Sequence, residues 1–234
     1  MAEQDKINKG DFIEIEFTGT IPETGEIFDT NIKEDAEKSD IKAKETKPYI
    51  MAVGHGMLIK GFDRELQGKQ TGKQYKARFN PEEAFGERQK NMVKMIPSKM
   101  FHEQNIQPQR GMQLSLDGRL VRILSVSGGR VLVDFNNPLA GKEVEYKYKI
   151  KRKITDENEK INALQDFFFR RRFDFETKNN NKTIIFKIPK SQENSQSFVK
   201  MMEKGFNDIL NMNVETEIIQ DKKKDDKKHT TTPQ

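Results

Sequence analysis

The chain has 234 residues, 34% of them charged and 33% hydrophobic, and 42 Lys+Arg against 37 Asp+Glu leave a net charge of +5. It has no Cys, which excludes a disulfide framework and thiol chemistry; no apolar run approaches the roughly 20 residues of a membrane span, and residues 1–6 lack an apolar signal core. The length suits two or three small domains, the small dispersed positive excess does not by itself point to nucleic acid, and a soluble cytoplasmic protein is expected.

Ile13, Ile15 and Phe17 alternate with Glu14 and Glu16, which predicts a half-buried strand over 11–17. Pro22 to Gly25 reads as a turn and Ile27 to Asp29 as a second strand, so the first thirty residues form a hairpin. Residues 31–47 are polar and Lys/Glu-rich, a loop with a short helix. Tyr49 to Val53 returns as a strand and meets Gly54-His55-Gly56, whose glycines let the backbone double back. Leu58, Ile59, Phe62 and Leu66 then recur at helical spacing until Gly68 and Gly72. From periodicity alone that stripe either packs into a core or floors a pocket, and the core is the plainer reading. Gln74 to Phe79 alternates as a strand and Pro81 to Gly86 is a loop.

Composition shifts at Glu87, and residues 87–134 read as an inserted domain with eight Lys/Arg against four Asp/Glu. After the apolar-rich stretch Asn91 to Phe101 come three short strands, Met112–Leu116, Leu120–Leu124 and Arg130–Asp134. Asp117-Gly118 and Gly128-Gly129 are hairpin turns between them. Met92, Met95, Met100 and Met112 with Val93, Ile96 and Phe101 either fill a small core or offer an adaptable apolar surface. Pro138 to Gly141 leads back to the first unit and Val144 to Ile150 supplies its last strand.

A third unit occupies residues 155–220. Thr155-Asp156 caps a helix whose apolar face is Ile161, Leu164, Phe167 and Phe168. Two strands flank Asn179-Asn180-Asn181, a second amphipathic helix runs from Phe198 to Leu210, and Val214 to Ile219 ends as a strand. The surplus of aromatics in so small a unit points to a partner, with a homodimer through this domain the simplest and docking on its own first domain the main rival. Residues 221–234 are polar and expected to be disordered. His55, His102 and His229 stand far apart, with no metal-ligand spacing, so neither a metal nor another cofactor is expected. Arg170-Arg171-Arg172 lacks the loop or aromatic strand of a nucleic-acid module, and nucleic acid is not an expected partner.

Six blocks fall in register with one family: Glu16-Phe17-Thr18-Gly19, Gly25-Glu26-Ile27-Phe28-Asp29-Thr30, Lys47-Pro48-Tyr49, the glycine turn with its helix, Pro81-Glu82-Glu83-Ala84-Phe85-Gly86, and Leu139-Ala140-Gly141-Lys142-Glu143-Val144-Glu145-Tyr146. Over residues 7–153 the chain resembles FKBP-type peptidyl-prolyl isomerases of the SlyD-like subfamily, and more closely its long archaeal members. The resemblance implies an FKBP-like antiparallel sheet wrapped on one helix (1–86 plus 135–154) and a β-rich insert-in-flap domain (87–134); with the residue pattern of 155–220 read as a C-terminal α+β domain, the fold class expected is α+β. It implies prolyl isomerisation, with chaperone binding of unfolded chains through the insert; the alternative is a non-catalytic binding module on the same fold. It places Phe28, Asp29, Ile59, Phe62, Phe85 and Tyr146 at the catalytic pocket. Substrate would also meet Phe17, Tyr49 and Leu58, and, in the insert, Met92, Val93, Met95, Ile96, Met100 and Phe101. The partners implied are proline-containing peptides and unfolded clients. Phe62 stands where many members have Trp, and Phe85 where many have Tyr, so the second pocket wall lacks a hydroxyl. The His-rich tail common in the subfamily is not matched by the single His229.

Overall fold

A computed structural model describes residues 6–39, 47–116 and 118–221. The strands and helices in chain order begin with β1 (Phe12–Thr20), β2 (Ile27–Thr30), α1 (Lys33–Glu37), β3 (Tyr49–Ala52), α2 (Lys60–Glu65) and β4 (Gln74–Phe79). Next come β5 (Val93–Pro97), α3 (Ser98–His102), β6 (Gln113–Leu116), β7 (Arg119–Ser127), β8 (Arg130–Asp134) and β9 (Val144–Ile154). The last part holds α4 (Glu157–Phe169), β10 (Asp174–Lys178), β11 (Thr183–Pro189), α5 (Ser195–Met201), α6 (Glu203–Leu210) and β12 (Asn213–Ile219). The predicted loop of residues 31–47 lies partly outside the described residues, as do Asp117 of the first hairpin turn and all but the first residue of the polar tail.

Five strands form an antiparallel sheet in the order β2-β1-β9-β4, with β3 also paired to β1. The alternation Ile13, Ile15, Phe17 buries one face of β1, while Glu14 and Glu16 face Arg152 and Lys151 of neighbouring β9. β1 serves two partners along one edge: residues 12–15 pair with β3 and 18–20 with β2. At the switch, Asn31 plugs the gap, its Oδ1 accepting the Phe17 N–H at 2.8 Å and its Nδ2 donating to the Ile15 carbonyl at 2.8 Å. α2 is six residues long, shorter than the apolar stripe that predicted it, because Leu58 and Ile59 belong to the loop leading into it and Leu66 caps its end. It lays Phe62 and Leu66, both fully buried, into the sheet.

Strands β5-β8-β7-β6 form a separate antiparallel sheet with its own core of Phe101, Val121, Ile123, Val131 and Val133. Two chain crossings join it to the first sheet. Arg88 donates to Asp134 through Nε at 3.0 Å and Nη2 at 2.7 Å, and Asn136 exchanges hydrogen bonds with the Gln89 backbone at 2.9 and 3.0 Å. Burial works against ionised Asp134, but bonds from the Asn136 backbone and amide and from Arg88 outweigh it and hold the carboxyl below its ordinary range.

The last unit is a sheet in the order β10-β11-β12, with β11 and β12 parallel and joined by α5 and α6. Asp156 caps α4, accepting the Glu159 N–H at 2.8 Å. The hairpin at Asn179-Asn180-Asn181 takes positive φ at all three residues, which asparagine tolerates best after glycine. The single helix predicted from Phe198 to Leu210 is two helices broken at Met202. α4 packs on β3, so one apolar cluster runs from Ile7 to Val214. The aromatics 167–169 are absorbed within the chain: Phe169 is buried against Phe186 and Phe206, and Phe168 lies 5.5 Å from Phe206. Phe198, Met201 and Ile218 remain exposed.

Candidate active site

The turn Gly54-His55-Gly56 runs at φ +83° and +70° at its glycines, a region L-residues avoid. Its geometry is fixed by a residue that the sequence motifs did not single out. Asp63, buried in the first turn of α2, accepts the Gly54 N–H at 2.7 Å and the Gly56 N–H at 2.8 Å, one on each carboxylate oxygen. The Tyr49 hydroxyl holds the other side of the loop, donating to the Met57 carbonyl at 2.9 Å. An acidic side chain in the first helical turn behind a glycine turn was the available signal. The loop so tied presents Leu58 and Ile59 at the head of α2. The Ile59 carbonyl accepts the Asp63 N–H at 3.0 Å, whereas the Ile59 N–H has no acceptor among the described residues.

Phe62 forms the floor. It is fully buried, with ring centroids at 4.5 Å from Tyr146, 4.9 Å from Tyr148 and 6.0 Å from Phe17. Phe28 stands edge-on between Tyr146 at 5.6 Å and Phe85 at 5.7 Å, and Phe17 stands edge-on to Tyr49 at 6.0 Å. Edge-to-face contacts fix ring planes as well as positions. Gly19 allows the approach: a Cβ there would lie 2.6 Å from Phe28 Cζ and 3.0 Å from Tyr146 Cε1. Phe17, Phe28, Tyr49, Phe62, Phe85 and Tyr146 are thus one connected ring network, and Leu58 and Ile59 pack against it with faces still open.

Asp29 is exposed on β2, yet the protein crowded around it raises its carboxyl above the ordinary value, a hydrogen bond from the Thr30 backbone partly opposing. Burial pushes the Tyr49 hydroxyl up to about 12, against the favourable charge of Arg170, and it raises Tyr146 further. Both tyrosines therefore keep their protons at neutral pH.

A cavity of about 560 Å³ opens beside the rings. Phe17, Asp29, Tyr49 and Leu58 line one side; Ala163, Asp166, Phe167, Arg170 and Arg172, from α4 and the turn after it, line the other. The resemblance covered only residues up to 153, so it carried no indication of this second wall.

The insert residues divide. Met95 and Met100 are 59% and 54% exposed, and Met92 and Val93 are half-buried. Phe101 is only 2% exposed and anchors the insert's core, with Ile96 and Met112 packed against it. Among the described residues no three His, Cys, Asp or Glu side chains converge as metal ligands, and His229 lies outside them.

An antiparallel sheet thus holds one short helix, with a cluster of aromatic rings at the head of that helix. The model of FKBP-type peptidyl-prolyl cis-trans isomerases matches residues 3–104, and that of the FKBP26 IF domain matches residues 94–139. The short-type peptidyl-prolyl cis-trans isomerase of Methanocaldococcus jannaschii is 32% identical over 147 residues, 62% of this chain and 92% of its own. The FKBP-type isomerase SlyD of Treponema pallidum is 29% identical over 152 residues, 62% of this chain and 78% of its own. That of Aeromonas hydrophila is 28% identical over 141 residues, 59% of this chain and 60% of its own. A solved structure of the three FKBP domains of wheat FKBP73 aligns over 65% of this chain and 42% of its own, with TM-score 0.35 and 14% identity. The chain belongs to the FKBP-type peptidyl-prolyl cis-trans isomerase family, with SlyD proteins among its relatives. Among the described residues, no helix is long and apolar enough to cross a membrane.

Proposed function

We propose that the ring network around Phe62 and Tyr146 is the prolyl site and that the insert holds unfolded chains for it. The observation that carries the first part is the juxtaposition of the partly open side chains of Phe28, Tyr49, Phe85, Leu58 and Ile59, seated on buried Phe62 and Tyr146, with an Ile59 N–H that lacks an acceptor within the described chain. Prolyl isomerisation must take the X-Pro amide through a twisted state against a barrier of about 18–20 kcal/mol. The twisted amide has lost resonance and is less polar, so a water-free apolar cleft favours it over the planar ground state. Phe28, Phe62, Phe85 and Tyr146 would bracket the proline ring, Ile59 N–H would orient a substrate carbonyl, and Asp29 would be the polar wall. Phe17, Tyr49 and Leu58 would meet the flanking residues.

Residues 1–86 with 135–154 would then be the isomerase domain, 87–134 the capturing insert and 155–220 a C-terminal domain. Exposed Met95 and Met100, with Leu120 and Val126, supply adaptable apolar surface in a basic setting, while Phe101 and Ile96 support it from the core. Capture beside the cleft raises the local concentration of prolines there. Proline-containing peptides and unfolded proteins are the partners, and a cytoplasmic setting agrees with a chain free of Cys. The exposed Phe198, Met201 and Ile218 on the C-terminal unit would pair with a second copy of the chain. Sedimentation of the full chain at micromolar concentrations should give a dimer mass, and a monomer mass there would remove the homodimer.

The test of the main reading is a proline-limited refolding assay at catalytic concentrations of the protein. The slow phase should accelerate, and Phe62→Ala or Asp29→Ala should reduce the effect. An unchanged slow phase with the wild-type chain would leave a non-catalytic binding module on this fold.

A further inference from the structure

α4 ends at Arg170, which caps the helix in the left-handed conformation, φ 55° and ψ 21°. Glycine is the residue favoured there, and an arginine held in that geometry calls for a reason. Its neighbours are engaged elsewhere: Arg171 donates to Gln192 at 2.9 Å, and Arg172 makes a two-pronged pair with Asp166 at 2.9 and 2.5 Å. Arg170 has neither a hydrogen bond nor an ion pair among the described residues, yet it lines the cavity shared with Asp29, Tyr49 and Leu58. Asp166 is matched by Arg172, and Asp29 and Lys47 line the same cavity. Phe167 lies beside Arg170 in the same wall. The field of Arg170 reaches the cleft, because it opposes the burial that raises the Tyr49 hydroxyl.

We propose that Arg170, with Phe167, forms a subsite that binds an acidic side chain within about three residues of the substrate proline. The inference rests on the prolyl-site reading of the ring network. A segment with its proline over Phe62 has its flanking residues in the 560 Å³ cavity, between Tyr49 and Leu58 on one side and α4 on the other. A guanidinium takes a carboxylate through two parallel N–H···O bonds and lies flat against aromatic rings, which suits this wall better than an ammonium would. The C-terminal unit is thereby a specificity element of the isomerase site.

The test is fluorescence polarisation of labelled peptides that differ only in one residue flanking the proline, Glu, Gln or Lys, placed before or after it. The full chain should bind one of the Glu peptides roughly two- to fivefold more tightly than its Gln counterpart at low salt, the range of an exposed ion pair. The advantage should fade at high salt. Arg170→Gly, which suits the left-handed backbone, should abolish it and leave the Gln peptide within twofold. Arg171→Gln removes the same charge away from the cavity and should preserve it. Equal affinity for Glu and Gln peptides, or an advantage that survives Arg170→Gly, overturns the subsite. Proline-limited catalysis measured on the same Gln peptides separates the two readings: Arg170-dependent binding without catalysis refutes isomerisation at the cleft and leaves the subsite standing.

Discussion

Asp63→Ala tests whether the loop before α2 is what makes the cleft. The wild-type carboxylate is buried and accepts two backbone N–H groups at 2.7 and 2.8 Å. A hydrogen bond to a charged group contributes about 1.5–3 kcal/mol, and both are lost together in the variant. Gly56 is exposed, so its N–H regains water, whereas Gly54 is only partly open. The expected loss is therefore about 2–4 kcal/mol rather than the sum of two full bonds, or roughly 5–15 °C in Tm for a chain of this size. Asp63→Asn keeps one acceptor oxygen but turns its amide N–H groups towards a backbone donor, and it should lose about half as much. Function should suffer more than the stability loss explains, because the loop carries Leu58 and Ile59. A 1 Å shift at a positioned group is worth up to about a hundredfold in rate, so kcat/KM on a short X-Pro peptide should fall at least about tenfold. The direct readout is amide hydrogen exchange, in which Gly54 and Gly56 should lose protection in the variant while β9 keeps it. If both amides exchange as slowly as in wild type, or if kcat/KM is unchanged while they exchange fast, Asp63 does not position the site.

Phe85→Tyr restores a hydroxyl on the cleft wall and should raise kcat/KM about two- to tenfold, the range of one added hydrogen bond, in a protease-free peptide assay. Asp29 has a folded pKa above its unfolded value near 3.8, so its ionised form costs stability; that cost is complete above the folded pKa and vanishes below the unfolded one. Asp29→Asn should accordingly raise Tm at pH 7 and leave it unchanged at pH 3, as read by calorimetry. Replacing residues 87–134 by a short loop should spare at least about half of kcat/KM on small peptides, and should reduce catalysed refolding of a protein client about a hundredfold, the lower end of what linked binding sites supply. Equal loss on both substrates would mean the insert builds the cleft instead of feeding it.

The sequence by itself determined much of the first unit, because its signals are local. Alternation at Ile13, Ile15 and Phe17, paired glycines at a turn, and apolar residues at helical spacing each constrain the backbone within a few bonds. The same holds for the Asp156 cap and the three asparagines between β10 and β11. The boundaries of α2 were not legible, since Leu58 and Ile59 continue the helical stripe while belonging to the loop that Asp63 ties down. Periodicity cannot see a hydrogen bond from a helix back to the turn before it. Nor can it sort the insert's apolar residues: Phe101 and Met100 are adjacent in sequence, but one is in the core and the other faces solvent. Which of two neighbours is buried depends on the strand facing them, here β7 and β8. The wall made by α4 is the clearest case. Phe167 read as helix-face core and Arg170 as part of a basic run, about a hundred residues away from Tyr49 and Leu58. Only the packing of α4 on β3 brings them to one cavity, because that placement is decided by the shape of two apolar surfaces and not by any residue pattern along the chain.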